Sequence, residues 1–478
     1  MRSVPRGQSG AGRLRRRAVL AGLLSVSVPL PACSAAGALL ADRPTVRVAV
    51  TWSAAELSLF RRVIDDLRRL PGEMAYDVDI LPYGDDISAA LATRGAGRPD
   101  VVLLPRPGLV AEHLDALAPL PAESWPAPDT YPPVWRSLLF HRHPQTGEQV
   151  PYGLPFKVAH KSLVWYRPCQ FERLGLQPPQ TWSDWLALNT ELSRQGIPAL
   201  ALGGGDGWML TDFFENVLLG HSPCTYDALS GPAPRPWHVP AVREAFRSLG
   251  QMWSTPGVVA GGVRRALVQQ FSDAVLEVFR YHRAAMVVAP DFAWPIIERF
   301  GIDPDGCDNP VGTFAFPPPR RGQPPLVAGG DVVVLTRPAR PEARDLLTRL
   351  VDSRAVTSWI RAGGFVSPDL TVPERLYPPD MRPVVRQLVN EPFRFDLSDQ
   401  IGAVGGQEGL WRVLQQFLTR VGDRDTAAVD VAADEAVAQL LALEDATVGR
   451  DVSSTWARLR ASSAEQVDLC EPGAGDGG

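Results

Sequence analysis

Short apolar runs alternate with helical segments over the first part of the chain, and this alternation limits the fold more than any other feature. Residues 46–50, 76–81 and 101–104 are rich in Val, Ile and Leu, which is typical of strands. Between the first two runs, residues 57–70 carry apolar side chains at helical spacing. Strands that alternate with helices form a parallel sheet with right-handed crossovers. The pattern therefore predicts an α/β protein whose ligand would lie beyond the carboxyl ends of the strands.

The length of the chain predicts two lobes, because 478 residues exceed what one ordinary hydrophobic core holds. With 45% hydrophobic and 21% charged residues, the composition is that of a globular protein. The net charge is -5, and no basic stripe follows the N-terminal residues. Composition and charge therefore argue against a nucleic-acid partner.

The first 33 residues have the pattern of a signal peptide. Arginines within positions 13–17 precede an apolar run, 18–32, that is too short to span a bilayer. Both general secretion and twin-arginine export fit this start. The run ends in Leu30-Pro31-Ala32-Cys33, which resembles a bacterial lipobox, although Pro31 departs from the usual small residue. Acylation of Cys33 would tether the protein to the outer face of the cell membrane; the alternative is an ordinary cleavage site beside a chance cysteine.

Four more cysteines leave the disulfide pattern open. They are Cys169, Cys224, Cys307 and Cys470. An even number of cysteines in an exported protein permits two disulfides, and four cysteines can pair in three ways. Their wide spacing matches no metal-binding motif, so we predict no metal site.

The stretch from residue 153 to residue 215 combines a buried strand, helical segments and a candidate ligand loop. Residues 162–166 form an aromatic and β-branched run that stops at Arg167-Pro168, which predicts a strand. A second apolar run, 199–202, opens into Gly203-Gly-Gly-Asp-Gly-Trp208. This flexible loop carries one carboxylate and one large ring, and that combination is typical of a binding site.

Several motifs in and after this stretch identify a family. YGLPFK, KSLVWY, FERLGLQPPQTW, and GGGDGW followed by TDFFE resemble the family 1 extracellular solute-binding proteins of ABC importers, the maltose-binding-protein-like group. Further landmarks follow in the order of that family: residues 283–288, residues 314–319, the Gly329-Gly330-Asp331 turn and residues 363–368. The resemblance covers residues 45–445.

The resemblance implies an α/β fold of the periplasmic-binding-protein type. Two lobes, each a mostly parallel sheet flanked by helices, would enclose a ligand cleft. The expected division is a linker at 34–44, an N-terminal lobe of 45–155 and 284–330, a C-terminal lobe of 156–283 and 331–460, and a flexible tail at 461–478. The resemblance also implies a carbohydrate ligand, delivery to membrane ABC permease subunits, no cofactor and no catalysis. We expect a monomer, since such a protein must open, close and dock.

Sugar binding requires flat apolar rings that cover the C–H faces of a pyranose, and planar polar groups that pair with its hydroxyls. Both types occur just beyond predicted strands, where three tryptophans each have an acidic residue nearby. The predicted ligand-binding residues are Trp52, Glu56, Lys157, Asp206, Trp208, Asp212, Asp291, Trp294, Gly330, Asp331 and Phe365. Three tryptophans favour an oligosaccharide over a single sugar.

Several of these residues also have a purely structural alternative. The chain has 13 tryptophans, so some of them pack in the core. Glu56 completes a capping box with Ser53 and could bond its own helix. Lys157 could be solvated, and Asp331 could belong to a simple Gly-Asp turn.

Two enzyme-like patterns are incomplete. The glycine loop at 203–207 lacks the Lys-Ser/Thr pair that a phosphate-binding loop requires. Gly220-His-Ser-Pro-Cys224 lacks the closing glycine of a nucleophile elbow. Two other functions stay open: a secreted carbohydrate-active enzyme, which would need paired carboxylates, and a sensory or cell-wall binding protein with the same fold.

Overall fold

The computed structural model describes residues 43–125, 130–302, 306–422 and 428–448. The predicted signal peptide with Cys33, the predicted tail and Cys470 lie outside the described residues. Among the helices in the described part of the chain, none is both long and apolar enough to cross a membrane.

The elements alternate along the chain as the sequence predicts. The strands are β1 Thr45–Val50, β2 Asp77–Pro82, β3 Val101–Leu104, β4 Phe140–Arg142, β5 Gln149–Pro151, β6 Leu154–His160, β7 Leu163–Tyr166, β8 Leu200–Ala201, β9 Met286–Val288, β10 Gly312–Ala315, β11 Val327–Leu335 and β12 Arg394–Phe395. The α-helices are α1 Ala54–Leu67, α2 Ile87–Ala92, α3 Gly108–Glu112, α4 Pro133–Leu139, α5 Pro168–Leu174, α6 Trp182–Arg194, α7 Trp208–His221, α8 Pro223–Ser230, α9 Pro240–Trp253, α10 Gly262–Ala266, α11 Phe271–Phe279, α12 Trp294–Phe300, α13 Pro341–Leu350, α14 Thr357–Ala362, α15 Arg382–Asn390, α16 Leu397–Gln400, α17 Arg412–Val421 and α18 Val429–Val448.

The first sheet has the strand order β12-β11-β3-β1-β2, and β6 also pairs with β11. Strand β1 runs parallel to both of its neighbours, β2 and β3, as the alternation of strands and helices requires. Strand β11 runs antiparallel to β3 and to β6. Helices cover this sheet, and its apolar residues, such as Val48, Val102 and Val334, form a continuous core.

The second sheet has the order β10-β7-β9-β8. Strand β7 runs antiparallel to both of its neighbours, and only β8 and β9 pair in parallel within this sheet. This differs from the mostly parallel arrangement that we expected for both lobes. A separate core lies against this sheet and includes Trp185, Phe213 and Trp253. The described residues therefore contain two large sheets with separate cores, as predicted, and β4 and β5 form a third, two-stranded sheet.

The division of the chain between the sheets differs from the predicted one. Residues 284–330 were assigned to the N-terminal lobe, but β9 pairs with β7 and β8 in the second sheet. Strand β11 extends to residue 335 in the first sheet, and the apolar faces of α13 and α14 join the first core. A short apolar run such as 284–288 fits a central strand of either sheet, because its pattern does not specify a neighbour.

A disulfide joins Cys169 at the start of α5 to Cys307, which precedes β10. Cys224 is disulfide-bonded as well. The first bond connects positions separated by 138 residues and lies at the edge of the second sheet. Among the three pairings that the sequence allowed, the structure selects one that includes Cys169–Cys307.

Candidate functional site

Strand β6 brings two lysines to one face of the first sheet. Leu154, Phe156 and Val158 point into the first core, so the residues between them face the opposite way. Lys157 lies on that face. Lys161 directly follows the strand and continues its pairing, since its N–H donates to the carbonyl of Val327 at 2.9 Å. Four residues of strand separate the two lysines by about 13 Å.

Lys157 is the centre of the first cluster. Its Nζ donates to Oε1 of Glu56 at 2.7 Å, and Asp331 lies opposite it in the ladder between β6 and β11. The lysine is 2% exposed, whereas the side chain of Glu56 is 25% exposed. Burial lowers the pKa of Lys157, but the carboxylates of Glu56 and Asp331 more than offset this effect, so the pKa lies above its usual value. The cluster therefore holds a charged lysine that is open on the side of Glu56.

Two buried carboxylates complete the first cluster. Burial raises the pKa of Asp331 to about 7 and that of Asp291 to about 6, against the opposing charge of Lys157. Oδ1 of Asp291 accepts the backbone N–H of His160 at 2.7 Å. Oδ2 of Asp291 is buried and has no hydrogen-bond partner among the described residues. A buried oxygen without a donor makes ionisation of this carboxyl less favourable, in the same direction as its pKa shift.

Lys161 is the centre of the second cluster. Its Nζ lies 2.5 Å from Oδ2 of Asp396 and 3.4 Å from carboxylate oxygens of Asp212 and Asp399. All four side chains are at most 9% exposed. Burial raises the pKa of Asp212 well above its usual range, even though Lys161 is adjacent. The cluster joins the end of β6 to helix α7 and to the turn at α16.

Glu215 holds the start of α16 in place. Its carboxylate accepts the backbone N–H groups of Leu397 at 2.7 Å and Ser398 at 2.9 Å, and the hydroxyl of Tyr226 at 3.0 Å. All of these groups are buried. Glu215 therefore holds α7 and α16 together with hydrogen bonds that leave it no role in contacting a ligand.

Three aromatic rings lie between the two lysine clusters. The ring centroids of Trp208, Phe271 and Phe292 are 5.3 to 5.8 Å apart, and all three side chains are half-buried. Nζ of Lys157 lies 4.7 Å from the centroid of Phe292, and Nζ of Lys161 lies 6.0 Å from that of Trp208. The rings form an apolar surface with a charged cluster at each end, which we call the aromatic platform.

The first lobe also reaches the second cluster through Arg106, which follows β3. Its Nη2 donates to the carbonyl of Gly402 at 2.5 Å, and its Nε lies 3.9 Å from Oδ1 of Asp399. Glu112 in α3 accepts the N–H of Ala403 at 2.8 Å. Arg106 and Glu112, which both follow β3 of the first sheet, therefore hold the segment after α16.

The structure brings six of the predicted site residues together around the platform. They are Glu56, Lys157, Trp208, Asp212, Asp291 and Asp331. The capping box expected at Ser53 and Glu56 does not form, because Ser53 makes no side-chain cap bond and Glu56 bonds Lys157 instead.

Three predicted aromatic residues pack in hydrophobic cores. Trp52 is 4% exposed and contacts Phe60, Phe156 and Trp359, although its indole bonds the carboxylate of Asp331. Trp294 lies against Trp165, with ring centroids 6.2 Å apart. Phe365 is 1% exposed and contacts Phe156 and Trp359. In this conformation, protein side chains cover the rings that we expected to meet a ligand.

Two further predicted residues have structural roles. Asp206 accepts the backbone N–H of Phe271 and so caps the start of α11, which positions one ring of the platform. Gly330 lies in β11 opposite Val158, where a Cβ would meet the carbonyl oxygen of Lys157 at 2.1 Å. Glycine at this position permits the close approach of β6 and β11.

Sequence reasoning missed several residues of the site. They are Arg106, Phe271, Phe292, Asp396 and Asp399. Lys161 begins the family motif KSLVWY, and the resemblance places it at the cleft beside Lys157, but it was not among the predicted ligand-binding residues. The two aspartates gave no signal, since they lie 235 and 238 residues from the lysine that they bond.

The comparisons with known proteins agree on one family. The family described as "Bacterial extracellular solute-binding protein" matches residues 78–336. The osmoprotective compounds-binding protein of Synechocystis is 30% identical over 370 residues, which cover 73% of this chain and 83% of that protein. The alpha-glucosides-binding periplasmic protein of Rhizobium meliloti is 28% identical over 360 residues, which cover 70% and 75%.

Solved structures show the same fold. The maltose-bound MalE3 of T. maritima has a TM-score of 0.62 and 16% identity, covering 82% of this chain and 98% of that one. The raffinose complex of the solute-binding protein RafE has a TM-score of 0.61 and 15% identity, covering 84% and 99%. The two-lobe arrangement expected from the sequence is thereby confirmed.

Proposed function

The chain belongs to the bacterial extracellular solute-binding proteins, and on this premise we propose that it captures a carbohydrate between its two lobes for an ABC importer. Family and relatives are binding proteins rather than enzymes. We propose that no bond is made or broken and that the ligand leaves unchanged to membrane permease subunits.

The aromatic platform is the observation that carries this proposal. Half-buried rings of Trp208, Phe271 and Phe292 offer apolar faces to the C–H side of a pyranose. Glu56, whose side chain is 25% exposed, lies at one end, where it can accept hydrogen bonds from sugar hydroxyls. The relative named for alpha-glucosides supports a carbohydrate ligand.

Closure of the lobes follows from which elements supply these groups. Glu56 begins α1 behind the first sheet, whereas Trp208 begins α7 and Phe292 follows β9 of the second sheet. A ligand that contacts Glu56 and Trp208 together gains both interactions only when the lobes meet. The ligand would therefore stabilise the closed state by its greater affinity for it.

The location of the protein is part of the same proposal. The family is extracellular, which agrees with a signal peptide at residues 1–33. We propose that Cys33 carries a lipid that holds the protein at the outer face of the cell membrane, and that the protein acts as a monomer. Mass spectrometry of the mature protein tests this, since acylation adds a defined mass to an N-terminal cysteine.

A calorimetric screen of mono- and oligosaccharides tests the ligand class. We expect saturable binding of at least one α-linked oligosaccharide, with no loss of the sugar over hours of incubation. Binding of a peptide or an ion with no heat from any sugar would contradict the substrate class. Turnover of a chromogenic glycoside would contradict a transport role and identify a secreted enzyme.

A further inference from the structure

A second pocket lies on the second lobe, apart from the aromatic platform. Its volume is about 430 Å³, which lies within the range of small-molecule sites. The lining residues include Gln170, Pro198, Arg265, Glu277, His282 and Arg283. No member of the two lysine clusters or of the platform contributes to it. A ligand in this pocket would therefore be separate from the proposed carbohydrate.

The side chains of this pocket carry more positive than negative charge. Arg265 bonds the carboxylate of Glu277, and Nη1 of Arg283 lies 3.6 Å from the same Oε1 atom. Glu277 is 3% exposed, whereas the side chains of Arg265 and Arg283 are 46% and 59% exposed. One buried carboxylate neutralises one guanidinium, so the pair keeps one positive charge toward the pocket. This occurs in a chain whose net charge is -5.

Both arginines are held in place by their surroundings. Gly261 has a φ of +72°, and a Cβ there would meet Cδ of Arg265 at 2.2 Å, so the glycine allows the arginine to lie across this turn. The guanidinium of Arg283 lies 5.1 Å from the ring centroid of Tyr281, and its backbone N–H donates to the carbonyl of Glu277 at 2.8 Å. Less conformational freedom is then lost when the two side chains bind an anion.

We propose that this pocket binds a small oxyanion, a phosphate or a carboxylate, between Arg265 and Arg283. Guanidinium groups present paired N–H donors that match the oxygens of either anion. Glu277 lies beside both arginines and neutralises one of their two positive charges, which weakens their attraction for a second anion. The proposal goes beyond carbohydrate capture and does not depend on it.

Calorimetric titration of the purified protein with inorganic phosphate and, separately, with citrate tests this proposal. We expect saturable binding of at least one of the two anions, with one site per chain. Preference for phosphate or for citrate identifies which oxyanion the pocket takes. Absence of saturable binding with both anions would overturn the proposal.

The anion affinities of two single-arginine variants test whether the anion binds in this pocket. Arg283→Gln leaves the pair of Arg265 and Glu277 intact, and it should weaken anion binding about tenfold, because one charge-assisted interaction is lost. Arg264→Gln is the control for the loss of one arginine charge, since Arg264 is the neighbour of Arg265 in α10, is exposed and does not line the pocket. Equal anion affinity in both variants contradicts the assignment. An unchanged midpoint of urea denaturation in Arg283→Gln confirms that the variant is folded.

Glu277→Gln gives a result that a purely structural ion pair does not predict. Without the buried carboxylate, both guanidiniums lack a counter-charge, so the affinity for the anion should rise several-fold. A structural role alone would lower the free energy of unfolding and leave anion affinity unchanged. That second result would count against an oxyanion site.

Discussion

Lys157 and Lys161 share one strand face, one residue type and nearly complete burial, yet their surroundings differ. Lys157 bonds Glu56, which is 25% exposed, and lies beside the half-buried ring of Phe292. Lys161 has carboxylate oxygens of Asp212, Asp396 and Asp399 within 3.4 Å, all of them buried. The difference shows that a buried lysine by itself does not indicate a binding site.

The two lysines differ in how exposed their carboxylate partners are, and this difference predicts different roles for the two clusters. An enclosed cluster such as that of Lys161 has no side open to a ligand, and it joins β6 to α7 and α16. Removal of its lysine leaves several acidic groups without compensation in a medium of low dielectric. The cluster of Lys157 has one open side and one unpartnered oxygen, on Asp291. We therefore expect Lys161 to determine stability and the groups near Lys157 to determine ligand affinity.

The largest expected effect is on stability. Lys161→Met should lower the free energy of unfolding by about 3–5 kcal/mol, because it removes the positive charge that three buried aspartates share. Lys157→Met is the matched variant on the same strand, and it should lower stability less, since water can solvate Glu56. Urea denaturation of both variants measures the difference. Equal losses would remove the distinction between the clusters.

The next effect concerns the platform. Trp208→Ala should weaken carbohydrate binding by about 2 kcal/mol, or roughly thirtyfold, because a central aromatic contact is lost. Trp294→Ala is the comparison, since that ring is 6% exposed and packs in a core. It should lower stability by about 3–5 kcal/mol and change affinity less. Affinities come from calorimetry and stabilities from urea denaturation; the reverse pattern would place the ligand near Trp294.

A smaller effect is expected at the open side of the first cluster. Glu56→Gln keeps the size of the side chain but removes its charge, so it should weaken carbohydrate binding about tenfold. It should lower stability less than Lys161→Met does, because Asp331 and Asp291 still face Lys157. Glu172→Gln, at an exposed position of α5, serves as the control. If calorimetry gives the two variants the same affinity, Glu56 contacts no ligand.

Much of the fold could be predicted from local patterns. The alternation of strand and helix gave β1, β2, β3 and the parallel pairing between them. Strand β9 was assigned to the wrong sheet, because an apolar run of five residues is equally compatible with two buried environments. Strand neighbours depend on contacts between distant parts of the chain, and one sequence does not display those contacts.

The site was predictable where a residue carries its signal locally. Trp208 and Asp212 follow a glycine loop, and Lys157 ends the motif YGLPFK, so all three could be proposed from the sequence. The structure brings them together around the platform. Trp52 and Trp294 have the same local signal, yet they pack in cores, since the neighbours that cover a ring come from remote segments. Asp399 was missed for the same reason.

The smallest expected effect, taken per pH unit, is a pH dependence of stability that originates at Asp331. Burial raises the pKa of this carboxyl from 3.8 to about 7, so the folded protein keeps a proton that the unfolded chain releases between these values. The folded state binds more protons in this window, so stability should fall as the pH rises from 4 to 7. Asp331→Asn removes this titration and should reduce the slope by about 1 kcal/mol per pH unit.

Urea denaturation at pH 5, 6 and 7 measures this slope, with Asp79→Asn at an exposed position of β2 as the control. A slope in Asp331→Asn equal to that of the unaltered protein would mean that Asp331 is ionised throughout this range, and that the first cluster is as fully compensated as the second.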